Sequence, residues 1–330
     1  MKQTARKIGV ALVYGGRSGE HEISVRSAES IKRALDLDKY DVSEYFIRKD
    51  GKWDPAPILP EPGANAGIDV VFPVLHGTFG EDGTIQGLLD LAELPYVGAG
   101  VLASAVSMDK AVTKRLCKEA GLPVVEHVVL TRGQFNPECL DLPFPFPVFV
   151  KPSNLGSSVG ITKAKTCDEL RDAVHVAAQY DRKIIVERGI EGREFECAVL
   201  GGERPIASMP CEIFPSQEFY TYEDKYLLNQ AVIQLPAQLT EGQRSELKRL
   251  ALACFDAVDC EGMARVDFLM EQSSGNVFVN EINTIPGFTS ISMVPKMWEY
   301  SGISYPELLD RLINLALERS NARRETRYSR

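Results

Sequence analysis

The sequence predicts an α/β protein whose middle turns antiparallel, in the α+β manner, and three observations carry this. Strand and helix signals alternate through the first hundred or so residues, the pattern of a parallel sheet with crossover helices. Ile68 to Leu75 is a near-continuous apolar run, as buried parallel strands have. Further along, β-forming segments follow one another through glycine-rich turns, which suits an antiparallel sheet.

Taken in order, Lys7–Gly15 reads as a strand, His21–Leu37 as an amphipathic helix, Asp41–Arg48 as a strand and Thr84–Leu94 as a helix, followed by LPYVGAG. Met108–Ala120 is predicted as one helix, ended by Gly121 and Pro123. Val124–Leu130 and Phe146–Lys151 are strands, with the proline-rich DLPFPFP between them, and Cys167–Gln179 is a helix. KIIVERGI, REFECAVLGG and RPIASMPCEIF then run as strands. Two later helices open with capping boxes, Thr240 with Gln243 and Ser304 with Glu307, the second with Pro306 in its first turn. Three domains are expected, over residues 1–105, 106–190 and 191–330.

The 330 residues allow two or three sizeable cores, with 44% hydrophobic and 25% charged residues. A net charge of -9 argues against nucleic acid or an anionic membrane as the main partner. No apolar run is long enough to span a bilayer. The apolar part of the N-terminus, Ile8 to Tyr14, is followed at once by charges and no cleavage site, so it reads as a strand rather than a signal peptide. The 7 cysteines include no Cys-x-x-Cys pair, which fits free thiols in a reducing cytoplasm. The arginine-rich end, ERSNARRETRYSR, reads as a frayed, solvated helix terminus.

VFVNEINTIPGFTS, residues 277–290, opens as a strand and then carries Glu281 and Asn283 two positions apart, on one strand face. ARVDFLM, residues 264–270, is a second strand, and EQSSGN between them supplies a hairpin loop. Centred on Ser274, the hairpin sets Asp267 opposite Glu281. Val266, Phe268, Met270, Phe278 and Ile282 then share the apolar face, and Arg265, Asp267, Glu281 and Asn283 share the other. Like charges opposed on a sheet destabilise it, and a cation between them reverses the sign. Asp, Glu and Asn are hard oxygen donors of the kind Mg²⁺ takes beside phosphates. The plainer reading is a solvated face with Arg265 neutralising one acid.

VKPSNLGSSVGITK, residues 150–163, delivers Lys151 on a strand and then a small-residue loop, Gly156 to Gly160. Such a loop lets backbone N–H groups approach phosphate oxygens, though no Walker A pattern is present. VYGGRSGEHEIS, residues 13–24, runs strand, glycines, helix, but departs from the dinucleotide fingerprint. Glu20 there either caps the helix or holds a substrate ammonium. In VLHGTFGEDGTIQG, residues 74–87, His76 ends a strand where open α/β sheets bind ligands, and by itself it reads as merely hydrogen-bonded. FPSQEFYTYEDKYLLN, residues 214–229, is an aromatic loop suited to closing over a ligand.

In order, GGRSGEHEIS, HGTFGEDGTIQG, MDK at 108–110, KPSNLGSSVGI, VERGIEGREF, FYTYEDKY, ARVDFL and NEINTIPGFTSISM resemble the D-alanine–D-alanine ligase family of ATP-grasp enzymes, over residues 15 to 293. The resemblance implies an ATP-grasp fold behind a Rossmann-like N-terminal domain, with ATP gripped between the second and third domains. It implies ligation of two D-alanine molecules through a D-alanyl phosphate, for peptidoglycan precursors in the cytoplasm, and a homodimer. By position, Asp267, Glu281 and Asn283 match the ligands of two Mg²⁺ ions, which Mn²⁺ can replace. Lys110 and Lys151 match phosphate-binding lysines, and Glu187, Ile190 and Glu194 match positions holding adenine and ribose; Ser158 and Phe219 join this nucleotide set. Glu20, with Ser157 and Tyr226, matches the group taking the first D-alanine's ammonium. Arg265 and the Gly287 amide resemble the donors to the tetrahedral intermediate. Lys225 and Ser292 match positions near the second D-alanine's carboxylate, and Lys225 also falls in the nucleotide set. Leu155 departs from relatives that carry an acid there. The rivals are a D-alanine–D-lactate or other carboxylate–amine ligase, a nucleotide-binding module without turnover and, third, a nicotinamide-dependent dehydrogenase.

Overall fold

Ile8–Gly15 (β1) lies between Tyr40–Ile47 (β2) and Val70–Val74 (β4) and runs parallel to both. This computed structural model describes residues 6–134, 141–156, 159–214, 232–289 and 291–327. Ser157, Ser158, Phe219, Lys225, Tyr226 and nearly all of the 214–229 loop lie outside these residues. Trp53–Asp54 (β3) adds an antiparallel edge, so the first sheet has the order β3-β2-β1-β4. All of β4 is buried, as its unbroken apolar run requires. Each Val or Phe so buried contributes roughly 1.5–3 kcal/mol. His21–Ala34 (α1) packs Ala28 and Ile31 against Val10 and Leu12 of β1. Thr84–Leu91 (α2) covers the other face through Ile85 and Leu89.

A second sheet is antiparallel, in the order β5-β8-β6-β7, from His127–Thr131 (β5), Val148–Pro152 (β6), Thr162–Ala164 (β7) and Lys183–Arg188 (β8). Cys167–Tyr180 (α5), capped by the Thr166 hydroxyl, packs Leu170 and Val174 onto it. The third and largest sheet comprises Gly192–Gly201 (β9), Ile206–Ala207 (β10), Cys211–Phe214 (β11), Val232–Gln234 (β12), Gly262–Glu271 (β13) and Val277–Asn283 (β14). Its order is β12-β11-β9-β13-β14, with β10 on β9. Glu241–Ala257 (α6) buries Leu247, Leu250 and Phe255 against Phe195 and Phe268 of this sheet. Met293–Tyr300 (α7) and Tyr305–Arg324 (α8) bring Trp298 and Leu312 into one core with Leu12 and Phe72 of the first sheet. Among the described residues no helix is long and apolar enough to cross a membrane.

Four expectations change. The helix predicted from Met108 is two, Val101–Met108 (α3) and Lys110–Glu119 (α4), broken at Asp109. Asp109 takes extended backbone and its carboxylate caps α4, accepting from the Ala111 and Val112 N–H groups. In the hairpin, Asp267 does pair with Glu281, but Asn280 bulges, so Phe268 faces Val279 and Leu269 faces Phe278. Val279 therefore joins the buried face, and Phe278 lies instead under the Arg188 guanidinium, 5.8 Å from the ring centroid. The arginine-rich end is anchored, not merely solvated: Arg319 donates to the carbonyls of Gly98 at 2.6 Å and Tyr96 at 2.7 Å, and Arg323 reaches Asp90. Tertiary acceptors at the rim of the first sheet, invisible to local pattern, hold it. At Ser304 the hydroxyl accepts from the Glu307 N–H, whereas Thr240 and Gln243 form both bonds of a capping box.

Candidate active site

The hairpin, α4 and the Lys151 strand converge. α4 begins one residue after its Asp109 cap, which fixes Lys110 at its first turn with Nζ donating to the Leu155 carbonyl at 2.8 Å. That carbonyl stands at the position where an acid is absent. Lys110 Nζ also lies 3.5 Å from Glu281 Oε2. On β6, Lys151 projects to Glu187 on the neighbouring β8, 2.5 Å away. Lys114, one turn beyond Lys110, approaches the other oxygen of Glu187 at 2.9 Å.

Burial is the largest influence on Glu187 and would raise its pKa, but Lys114 and Lys151 overcome it and bring it to about 2. Burial likewise works most strongly against the Lys151 charge, yet Glu187, Glu281 and Glu194 outweigh it and raise that pKa. The floor of the site thus carries the ionised pair Lys151 and Glu187, with Lys114 behind it.

Across the third sheet Asp267 pairs with Glu281 on β14 and with Glu196 on β9, three carboxylates in one row. Arg265 offsets their repulsion: its Nε and Nη2 each donate to Asp267 at 2.7 Å, and Nε lies 3.3 Å from Glu196. Burial opposes the guanidinium charge, but Asp267 and Glu196 hold its pKa well above the usual value. The Arg265 neutralisation foreseen as the plain reading is therefore present together with the opposed carboxylates.

At the other end, Glu20 is the N-cap residue just before α1, but its side chain makes no capping bond. It points to the glycines instead: a methyl on Gly77 would stand 2.7 Å from Glu20 Oε2. Gly77 has φ 69, which suits glycine. His76 ties β4 to the segment after β14: Nδ1 donates to the Ile285 carbonyl at 2.9 Å, and Nε2 lies 3.2 Å from Ser27 Oγ. Ser27 Oγ also accepts from the Phe288 N–H at 3.2 Å. Buried His76 is therefore a strut between two walls of the site. Glu81 Oε1 lies 3.7 Å from its ring. Ser292 accepts from the Thr289 N–H at 3.0 Å, and a methyl on Gly287 would stand 2.8 Å from its Oγ.

These groups line two adjoining cavities. One, about 640 Å³, contains Glu20, Arg265, Asn283, Gly287 and Ser292. The other, about 1040 Å³, contains Lys151, Glu187, Ile190, Glu194 and Asp267. Lys110 and Glu281 line both. Every described residue that the resemblance matched to a site role thus falls in one cavity or the other, whereas Val159 and Gly160 of the small-residue loop line neither. Three participants were missed. Lys114 was signalled by its four-residue spacing from Lys110 on a helix, and Glu196 by its two-residue spacing from Glu194 on a strand. Glu81 lay inside HGTFGEDG without an assigned part.

No three His, Cys, Asp or Glu side chains converge on one point among the described residues. The donors present are the facing Asp267 and Glu281 carboxylates and Asn283, whose Oδ1 is buried with no hydrogen-bond partner among the described residues. This set fits a hard divalent cation whose remaining ligands are phosphate oxygens and water.

Two antiparallel sheets closing on one cavity, beside a parallel-sheet domain, define the ATP-grasp class. Within it, the model "D-ala D-ala ligase C-terminus" matches residues 116–314, and "D-ala D-ala ligase N-terminus" matches residues 9–62 and 54–99. The chain belongs to the D-alanine–D-alanine ligase family. It is 64% identical to the D-alanine–D-alanine ligase of Solibacter usitatus, over 98% of this chain and 100% of the relative. It is 46% identical to that of Acetivibrio thermocellus, over 94% and 96%. The solved D-alanine–D-alanine ligase of Coxiella burnetii superposes with a TM-score of 0.87 at 40% identity, covering 97% of each chain. The VanG D-Ala:D-Ser ligase of Enterococcus faecalis superposes with a TM-score of 0.86 at 34% identity, covering 94% of this chain and 100% of that one.

Proposed function

We propose that this chain joins two D-alanine molecules to D-alanyl-D-alanine at the expense of ATP, for peptidoglycan precursor synthesis. One observation carries the reading: Lys110 and Glu281 form a shared wall between a cavity suited to a nucleotide and one suited to amino acids. A phosphoryl group held at that wall is within reach of both.

The chemistry follows from what a carboxylate is. It resists attack by an amine until an oxygen becomes a leaving group, so the first D-alanine accepts the γ-phosphoryl of ATP. Lys110 and Lys151 neutralise the charge that moves. Asp267, Glu281 and Asn283 would hold Mg²⁺, or Mn²⁺ in its place, and a bound cation of this kind supplies charge stabilisation at the phosphoryl oxygens. Glu187, Ile190 and Glu194 seat adenine and ribose, with Ser158 and Phe219. Glu20, with Ser157 and Tyr226, takes the first D-alanine's ammonium. The second D-alanine, its carboxylate near Ser292 and Lys225, attacks the acyl carbon. Arg265 and the Gly287 N–H donate to the oxyanion, each such donor contributing about 3 kcal/mol. Phosphate then leaves. Three domains, residues 1–105, 106–190 and 191–330, a homodimer and a cytoplasmic setting complete the proposal; chains of this shape include both a D-alanine–D-alanine ligase and a D-Ala:D-Ser ligase, so acceptor choice is a property of local residues and not of the fold.

Purified protein given ATP, Mg²⁺ and D-alanine tests the reading. One ADP should appear per dipeptide, both measured directly. ADP without dipeptide, or no ADP at all, overturns it.

A further inference from the structure

We propose that Lys114 is a positioning residue for nucleotide binding: it holds Glu187 from behind and so releases Lys151 to the phosphates. The inference rests on the nucleotide reading of the larger cavity.

Lys114 is 1% exposed, while Lys151 and Glu187 line the cavity and Lys114 is absent from its described walls. It therefore acts on a ligand only through Glu187. The two lysines take opposite oxygens of that carboxylate, Lys114 at Oε1 and Lys151 at Oε2. One buried carboxylate thus faces two ammonium groups, and the triad carries a net positive charge that a polyphosphate can use. A buried carboxylate stripped of its only cation would be costly. With Lys114 in place, Lys151 can turn from Glu187 toward a phosphate while Glu187 keeps a partner, its charge and its aim at the ligand. Without Lys114, Lys151 is the remaining counter-ion and stays bound to Glu187. The i, i+4 spacing on α4 gives the device its rigidity, because Lys110 at the first turn and Lys114 at the second are set by one capped helix.

The test is calorimetric binding of ADP with Mg²⁺, and of adenosine, to the full chain. In Lys114→Met, ADP should bind about ten- to hundredfold more weakly, the loss of one charge-assisted contact, while adenosine changes less than about threefold. Adding Glu187→Gln to Lys114→Met frees Lys151, so the double variant should bind ADP more tightly than Lys114→Met and within about twofold of Glu187→Gln alone, the lost Glu187 contact to the nucleoside being common to both Gln variants. A purely structural Lys114 predicts the reverse, a double variant no better than the single, and that result overturns the proposal. Should Lys114→Met not fold, Glu187→Gln and the double variant are compared instead. They should bind ADP equally within about twofold, and a difference above about tenfold overturns the proposal. Lys151→Met separately checks the cavity: unchanged ADP binding there would refute the nucleotide reading, whatever Lys114 does.

Discussion

Asp267 and Glu281 face each other directly across β13 and β14, one residue short of the Asn280 bulge. Two carboxylates in that relation repel, and Arg265 offsets the repulsion most directly at Asp267, which it grips with two nitrogens at 2.7 Å. Glu281 has Lys110 at 3.5 Å, an ion pair too long for a strong hydrogen bond. The cavities thus share a pair of acids held in place by backbone register, with a cation on either side.

Glu281→Gln keeps the shape and removes the charge. We expect turnover to fall by about a thousandfold, since cation-assisted charge stabilisation is worth several kcal/mol. The fold should survive, because the residue is only partly buried and the sheet register does not depend on its charge. ADP release in a coupled assay, with a thermal melt alongside, measures both. Wild-type turnover in the variant would remove Glu281 from the cation site.

Lys151→Ala takes one cation from the floor of the larger cavity. The KM for ATP should rise about tenfold or more, with the KM for D-alanine changed little, since Lys151 lies outside the described walls of the smaller cavity. Steady-state kinetics in both substrates decides it. An equal rise in both KM values would mean that Lys151 supports the whole site rather than the phosphates.

Glu187 makes acid stability readable. Its pKa in the fold is about 2 against an ordinary 4.5. Above pH 4.5 folded and unfolded chains are both ionised here, and the contribution is complete. Between pH 4.5 and about 2 the unfolded chain takes up the proton first, so the contribution declines as pH falls. Wild type should therefore lose stability more steeply over that window than Glu187→Gln. Urea unfolding at stepped pH provides the slopes, and parallel slopes would contradict the lowered pKa of Glu187.

Much of this arrangement was legible in the chain. The pairing of Asp267 with Glu281 could be read from the hairpin, because side-chain alternation and a short connection leave few pairings, although the pairs nearer the loop are shifted by one residue. The bulge was not legible: strict alternation put Phe278 on the apolar face, whereas in the fold Val279 and Ile282 are both buried, three positions apart, and one inserted residue puts them on one face. The break at Asp109 was obscured because MDK sits inside a helical composition, and only capping geometry separates α3 from α4. Arg319, which bonds the Tyr96 and Gly98 carbonyls, has no local signature, since its partners come from the far end of the chain. His76 likewise became a strut only when folding set Ile285 beside it.

The second substrate gives the last prediction. D-alanine reaches the enzyme mostly as an ammonium ion near neutral pH, and an ammonium has no lone pair with which to attack an acyl phosphate. A proton must leave before or during attack. A hydroxy acid such as D-lactate carries no such requirement. With both acceptors present, the ratio of dipeptide to depsipeptide should therefore rise as the pH goes from mildly acidic to alkaline. The cavity supplies carboxylates at Glu20, Glu81 and Glu281, which favour an approaching cation and slow its deprotonation. Removing part of the polar set around the ligands should relax the choice, and Tyr226→Phe is expected to gain some depsipeptide at the acidic end. Mass spectrometry of the products across the pH range gives the ratio directly. Depsipeptide as the main product of the wild type at neutral pH would overturn the assignment of D-alanine as acceptor.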